Sequence, residues 1–322
     1  MSKKILVTGG GGFIGGYLVK DFVEKGYQVT IADIKPFDQW YQLFEECDNH
    51  SLDMEVKENC YKMIDGQDEV YNLACNMGGM GFIENNKAMC MQAVLVNTHM
   101  LMACKEVHNP KKYFYSSSAC VYNASKQTSV DLVALKEADA YPADAEDGYG
   151  WEKLFSERMC RHFSEDFGIN AYIARFHNVY GPLGTYDGGR EKAPAAICRK
   201  VIQAKLDGTS DIEIWGDGEQ TRSFMYIDDC ATGINKLMES GWHEPINLGR
   251  DDLISINHLV TLAEGFAGIK LNRNYKLDAP LGVRGRNSDN TLIQNVLGWQ
   301  PSIIMEEGLK KTYDWIYGEM TK

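Results

Sequence analysis

Lys4-Ile-Leu-Val-Thr-Gly-Gly-Gly-Gly-Phe-Ile-Gly15 is the stretch that decides how the first half of this chain folds. Its opening residues are a short apolar run, and an amphipathic segment, Tyr17-Leu-Val-Lys-Asp-Phe-Val-Glu-Lys-Gly26, follows the glycines. A second strand-like run, Tyr27-Gln-Val-Thr-Ile-Ala-Asp33, then ends in an acid. Strand, glycine turn, helix, strand and acid are the parts of a mononucleotide-binding βαβ unit. Gly9, Gly12 and Gly15, with Phe13 and Ile14 between the last two, let backbone N–H groups approach a pyrophosphate at the positive end of the helix. Asp33 is placed to accept hydrogen bonds from ribose hydroxyls and to repel a 2′-phosphate, which favours NAD; nearby Lys35 keeps NADP open.

The alternation continues outward. Glu69-Val-Tyr-Asn-Leu-Ala-Cys75, Lys112-Tyr-Phe-Tyr-Ser-Ser117 and Asn170-Ala-Tyr-Ile-Ala-Arg-Phe176 read as further strands, with a helix expected over Met89–Val107 and another over Gly150–Phe167. This predicts an α/β fold: a Rossmann-like, doubly wound parallel sheet with its ligand crevice at the carboxyl ends of the strands. Ser118 and Cys120 fall at that edge. Beyond residue 177 the elements shorten between Gly and Pro punctuation, as in Tyr180-Gly-Pro-Leu-Gly-Thr and Trp215-Gly-Asp-Gly-Glu. The expected division is a dinucleotide-binding domain over 1–177 with a return segment near 223–248. A smaller mixed α/β substrate-binding domain takes 178–222 and 249–322.

Composition narrows the partners. With 322 residues and 44% hydrophobic content the chain can bury a large core. A net charge of −12 argues against nucleic acid, whose phosphates need a basic surface. No run approaches the roughly 20 apolar residues that cross a bilayer, and no signal peptide is evident, so neither a membrane nor secretion is expected. The nine cysteines are scattered and never form C-x-x-C, which implies reduced thiols in the cytoplasm. The seven histidines show no metal-ligand spacing, so no metal is expected.

The chemistry centres on Ser118-Ala-Cys120 and Tyr149-Gly-Trp-Glu-Lys153. Tyr149 and Lys153 share a helix face, and an ammonium beside a phenol, helped by a positive nicotinamide ring, favours the phenolate. Y-x-x-x-K alone is common; after a strand-terminal triple serine in a dinucleotide-binding fold it is specific. The combination resembles the extended short-chain dehydrogenase/reductase superfamily, the NAD-dependent epimerase/dehydratase family, whose members mostly handle nucleotide sugars and commonly dimerise through two helices per subunit. Asn178-Val-Tyr-Gly-Pro182, Trp215-Gly-Asp-Gly-Glu-Gln-Thr-Arg-Ser-Phe224 and Leu297-Gly-Trp-Gln-Pro301 carry the resemblance along nearly the whole chain. It implies that Ser118 hydrogen-bonds the reacting hydroxyl, Tyr149 takes its proton and NAD takes the hydride. It also assigns Asp53 and Leu73 to the cofactor.

Within that family, dehydratases carry Asp-Glu where this chain has Ala119-Cys120. The thiol, with Met77-Gly-Gly-Met-Gly-Phe82, Gly188-Gly-Arg-Glu-Lys-Ala-Pro-Ala-Ala196 and Gly282-Val-Arg-Gly-Arg-Asn-Ser-Asp-Asn290, is similar instead to the GDP-mannose 3,5-epimerase family. The resemblance implies an isomerase of carbohydrate metabolism. C4 of GDP-mannose is transiently oxidised, protons exchange at C3 and C5 through Cys120 and Lys192, and re-reduction gives GDP-L-galactose or a C5-only epimer. Arg222 and Arg286 would grip the diphosphate, with Arg284 able to substitute. Gly78, Asn178, Glu191, Ala193, Lys200, Gln220 and Thr221 are assigned to the substrate by position in the matched motifs. A homodimer is expected.

Asn76, Gly148 and Asn123 depart from the family's Asp, Ala and Pro, and Gln203–Ser210 reads as an insertion lengthening the loop before Trp215. His177 beside Asn178 reads as structural support. Which of Cys120 and Lys192 is acid or base at each carbon stays open. A related epimerase of another nucleotide hexose and a non-catalytic dinucleotide-binding relative are the rival readings.

Overall fold

A computed structural model of the chain describes residues 2–280 and 282–322. The opening apolar run forms β1 (Lys4–Thr8), buried in every residue after Lys4. The other strands of the main sheet are β2 (Gln28–Asp33), β3 (Asp48–Ser51), β4 (Glu69–Asn72), β5 (Lys112–Ser118), β6 (Ala171–Phe176) and β7 (Ile246–Leu248). All pair in parallel, in the order β3-β2-β1-β4-β5-β6-β7. The order reverses between β1 and β4, and a ligand crevice opens at such a switch point. Alternation along β1 feeds both faces of the sheet: Ile5 and Val7 join one apolar cluster with Phe22, Val201, Leu259 and Leu309, while Leu6 joins another with Met63, Met100 and Tyr113.

The smaller half is built on short strands. Thr221–Arg222 lies between Ile254–Ser255, antiparallel, and Gly285–Arg286, parallel. Asp211–Trp215 pairs with Asn272–Lys276, and Val179–Tyr180 with Met225–Tyr226. Helices Ala193–Asp207, Ile256–Ala267 and Met305–Met320 pack together beside them.

Three expectations change. The helix expected over Met89–Val107 is two, Lys87–Gln92 and Val94–Glu106. The ladder tightens at Ala93, whose carbonyl accepts from Val96 N–H at 3.1 Å, an i→i+3 bond. The helix expected from Gly150 begins at Asp147, so Tyr149 sits in its first turn. Gln203–Asp207 does not lengthen a loop but extends helix Ala193–Asp207, which stops at Gly208 with φ 67°.

Buried polar ties hold β6 to this frame. Arg175 is bidentate to Glu157, through Nε at 2.9 Å and Nη2 at 2.8 Å, and Ser117 Oγ donates to the same carboxylate at 2.5 Å. His177, directly after β6, is fully buried with Nε2 3.0 Å from Asn247 Oδ1; that acceptor assigns the proton to Nε2. Burial, with Arg175 adding to it and Asn247 opposing, pushes the His177 pKa down to about 4. An unfolded histidine titrates near 6.5, so between these values the unfolded chain binds more protons and acid favours it. In thermal melts the stability advantage of the wild type over His177→Gln should therefore shrink as pH falls from 6.5 to 4, by up to about 3 kcal/mol. A gap independent of pH would contradict a buried neutral imidazole.

Candidate active site

The glycine turn is shaped by close approach. Gly9 has φ 75°, and a Cβ there would stand 3.0 Å from Leu73 C and Ala74 N, at the end of β4. A Cβ on Gly15 would lie 2.3 Å from the Gly9 carbonyl oxygen, so the helix Phe13–Glu24 can begin only with glycine at that position. Phe13 lies against Gly184 of the smaller half, and Ile14 packs on the core. Asp33, buried at the end of β2, accepts from Lys35 N–H at 3.0 Å, while Oδ2 lies 4.0 Å from a Cβ position on Gly12. Lys35 contributes backbone here. Asp53 Oδ1 accepts from Glu55 N–H at 2.8 Å. A side-chain-free loop at a helix start, with a carboxylate beyond it, fits a dinucleotide's pyrophosphate and ribose.

Ser118 ends β5, and its hydroxyl accepts from Cys120 N–H at 3.2 Å, capping the 3-10 turn Ala119–Val121. Helix Asp147–Phe167 is pressed onto that turn: Glu146 N–H donates to the Cys120 carbonyl at 3.0 Å, and a Cβ on Gly150 would stand 2.3 Å from the same oxygen. Cys120 and Tyr149 thus share one buried cluster with Ile83 and Cys90. Lys153 lies one turn on, 1% exposed, with Nζ 5.7 Å from the Tyr149 ring centroid, 4.8 Å from that of Tyr115 and 3.6 Å from Glu152 Oε2. Among the protein's own groups the net effect on the Tyr149 pKa is a rise. Burial drives it well above 10, with Cys75, Cys120 and Glu152 adding to the rise and a Ser118 hydrogen bond opposing it. Burial opposes the Lys153 charge, but Cys75 and Glu152 outweigh it and raise the Lys153 pKa. With these neighbours Tyr149 keeps its proton at neutral pH.

Cys120 behaves unlike the other cysteines. Burial raises the remaining eight thiols, some to about 12. At Cys120 burial also raises the thiol, but Arg286, Lys192 and hydrogen bonds from Ser118 and Arg286 outweigh it, and the pKa is lowered. Arg286 Nη1 points at Sγ from 3.5 Å. Lys192 is driven below its ordinary range by burial and Arg222, against Cys120 and Cys75. It caps helix Ala193–Asp207, whose positive end also disfavours an ammonium. A thiol and an ammonium shifted in these directions are chemically suited to give and take protons near neutral pH. Gly188 and Gly189, at φ 89° and 85°, bend the loop, which docks through Gly79 N–H to the Arg190 carbonyl at 3.1 Å and Arg190 over the Phe82 ring at 3.9 Å.

Other residues are distributed unevenly. Arg222 lies within electrostatic range of Cys120 and Lys192. Arg286 does not offer a free fork: Nε donates to Gln127 at 2.6 Å, Nη1 to Cys120, and Nη2 to Glu146. Arg284 is bidentate to Asp217 at 2.8 Å twice, which removes it as a substitute. Gln220 has a buried side-chain oxygen without a hydrogen bond among the described residues, and Thr221 donates to the Val130 carbonyl. Lys200 Nζ donates to the Glu213 carbonyl at 2.9 Å. Glu191 accepts from Gly189 N–H at 2.7 Å and from Arg199 Nη2 at 3.5 Å, and Ala193 opens the helix after Lys192. Asn178, at φ 41°, ties to Ser223, and Gly78 packs on Phe82.

The departures have local reasons. A Cβ on Gly148 would stand 2.4 Å from the Lys87 carbonyl; Asn123 bridges Pro142 and Ser125; Asn76 donates to Glu55. Sequence reasoning missed Cys75, Glu146, Gln127 and Glu152. For Cys75 a signal existed, its place at the end of a crevice strand; the others carry no motif.

The model of the NAD dependent epimerase/dehydratase family matches residues 5–249. A GDP-mannose 3,5-epimerase of Arabidopsis thaliana is 44% identical over 322 residues, covering 99% of this chain and 83% of that protein. UDP-glucose 4-epimerase of Thermotoga maritima has the same fold, with a TM-score of 0.88 at 24% identity over 98% of this chain and 99% of that one. UDP-glucuronic acid 4-epimerase of Bacillus cereus, solved with UDP-glucuronic acid and NAD, gives 0.84 at 26% identity, over 98% and 99%. By its sequence and by its fold, the chain belongs to the NAD dependent epimerase/dehydratase family.

Proposed function

We propose that this protein is an NAD-dependent epimerase that converts GDP-mannose to GDP-L-galactose by inverting C3 and C5. The observation that carries this reading is the lowered Cys120 thiol with Lys192 beside it, next to Tyr149. Similarity to the Arabidopsis GDP-mannose 3,5-epimerase supplies the sugar. Residues 1–177 with the return segment near 223–248 hold the cofactor in this reading, and 178–222 with 249–322 hold the substrate.

Bound NAD, held by the Gly9–Gly15 turn and Asp33, supplies the oxidant at C4 and, once reduced, the reductant that restores the hydroxyl. Tyr149 takes the C4 hydroxyl proton while Ser118 hydrogen-bonds that oxygen. The resulting ketone acidifies the C–H bonds at C3 and C5. At each carbon one member of the Cys120/Lys192 pair removes a proton and the other returns one to the opposite face, inverting the centre. Tyr149 then gives its proton back, and no net redox change remains. Arg222 offers a cation for the diphosphate.

We also propose a homodimer in a reducing, cytoplasmic compartment. Nine free thiols support the compartment. For the dimer, Met91, Leu95, Trp151 and Phe155 are 40–56% exposed on helices Lys87–Gln92, Val94–Glu106 and Asp147–Phe167, which pack side by side.

In deuterated water, turnover of GDP-mannose should place deuterium at C3 and C5, and Cys120→Ala should abolish that exchange by at least about 100-fold while NAD stays bound. No deuterium at either carbon with the wild type rules the reading out. Iodoacetamide should alkylate Cys120 with a pH midpoint under the free-thiol value of about 8.5, and Lys192→Met should raise it; an unmoved midpoint would show that Lys192 does not activate the thiol. Light scattering should give about twice the chain mass of 36.3 kDa, and Trp151→Glu with Phe155→Glu should give the monomer. A monomeric wild type contradicts the dimer.

A further inference from the structure

Glu152 is a buried carboxylate that the reaction above does not use. It lies on helix Asp147–Phe167 between Tyr149 and Lys153 and is 3% exposed. One oxygen is fully engaged: Oε1 accepts from Tyr115 Oη at 3.0 Å and Ser156 Oγ at 2.9 Å. The other, Oε2, takes no hydrogen bond among the described residues and faces Lys153 Nζ at 3.6 Å. The two hydroxyls lock the carboxylate so that its free oxygen is aimed at the ammonium. A carboxylate held only for packing has no need of that arrangement, since an unsatisfied buried charge is costly.

We infer that Glu152 is the counter-ion that keeps Lys153 charged inside the protein, and is thereby a positioning residue that sets the pH range over which Tyr149 works. A lysine as buried as Lys153 sheds its proton readily unless an anion faces it. The groups around the pair are Tyr149, Ser156 and Cys160 from the same helix, Tyr115 from β5, Cys75 from the end of β4 and Cys90 from helix Lys87–Gln92. Lys192 faces Cys75 from the loop before helix Ala193–Asp207. Every thiol and phenol among these is pushed upward by burial, so each is neutral near pH 7. Glu152 is left as the carboxylate that balances Lys153. Tyr149 is also faced by Cys75 and by Cys120 in the turn after β5, the one thiol here that is lowered; Glu152 adds to their resistance to ionisation of the phenol, so it holds both Lys153 and Tyr149 at higher pH than they would otherwise work.

The role in catalysis rests on the epimerase reading, whereas the charge on Lys153 does not, and the test reads both. The NAD-bound enzyme is labelled with ¹³Cε-lysine, and the Lys153 signal is assigned by its absence in Lys153→Met. Titration of wild type, Glu152→Gln and Glu152→Asp should show the Lys153 midpoint at least about one pH unit lower in Glu152→Gln, with Glu152→Asp between. In turnover of GDP-mannose, both limbs of the kcat profile should move to lower pH in Glu152→Gln, with KM within about twofold of wild type because Glu152 is buried against Tyr115 and Ser156. An unmoved Lys153 midpoint overturns the inference, as does lost activity with unmoved limbs, the signature of a structural role. If Glu152→Gln does not fold, the withdrawn carboxylate of Glu152→Asp must still lower the midpoint, and a failure to do so overturns it equally. Absence of wild-type turnover would count against the epimerase reading alone, because the NMR midpoint tests Glu152 without substrate.

Discussion

The contact between the Arg286 guanidinium and the Cys120 thiol is the constraint on which the site depends. It joins three distant parts of the chain: the turn after β5, the short strand Gly285–Arg286 of the smaller half, and Glu146 at the start of the Tyr149 helix. Each partner fixes another. Glu146 N–H holds the Cys120 carbonyl while its carboxylate pairs with Arg286, and Gln127 takes the remaining Nε. A buried ion pair is expensive to assemble and worse to break, so this one specifies a single arrangement of the two halves around the thiol. It also makes the thiol chemically different from eight others in the same protein.

Charge in the crevice runs opposite to the charge of the molecule. The whole chain carries −12, yet Lys153, Lys192, Arg222 and Arg286 converge at the carboxyl ends of the strands. Two buried carboxylates, Glu146 and Glu152, divide that set. Glu146 balances the arginine at the thiol, and Glu152 the lysine at the phenol. Lys192 has no such carboxylate contact among the described residues, and burial draws it below its ordinary range, with Arg222 adding to the fall.

Close packing places these charges. Gly150 lets the Tyr149 helix touch the Cys120 carbonyl, and Gly148 lets helix Lys87–Gln92 approach the same helix from its other side. The loop carrying Lys192 is bent by two glycines in the left-handed region and fastened to Gly79 and Phe82. The family's alanine at position 148 would collide with Lys87 here, so this departure belongs to the packing and not to the chemistry.

Much was legible without coordinates because it depends on short spacings. Strand, glycine turn, helix and acid are local, so the dinucleotide cradle was readable in residues 4–33 and a parallel α/β sheet in the alternation beyond them, while the order of the strands came only from the fold. Tyr149 and Lys153 are one helical turn apart, and Ser118 and Cys120 follow a strand, so their edge of the sheet was readable too. Electrostatic partners were not, because they come from residues far apart in sequence. Arg286 and Arg284 look equivalent in Val-Arg-Gly-Arg; only the tertiary structure sends one to Cys120 and the other to Asp217. The surroundings of Tyr149 were hidden for the same reason: spacing brings Lys153 near, but burial, Cys75, Cys120 and Glu152, which raise the phenol, come from the tertiary structure. Sequence alone determined the fold class, the glycine turn and which groups are the candidates for reaction, since those rest on local periodicity and motif. Which of those groups holds a proton was decided only by the folded protein, since a pKa answers to every charge and every lost water within a few ångströms, whatever its place in the chain.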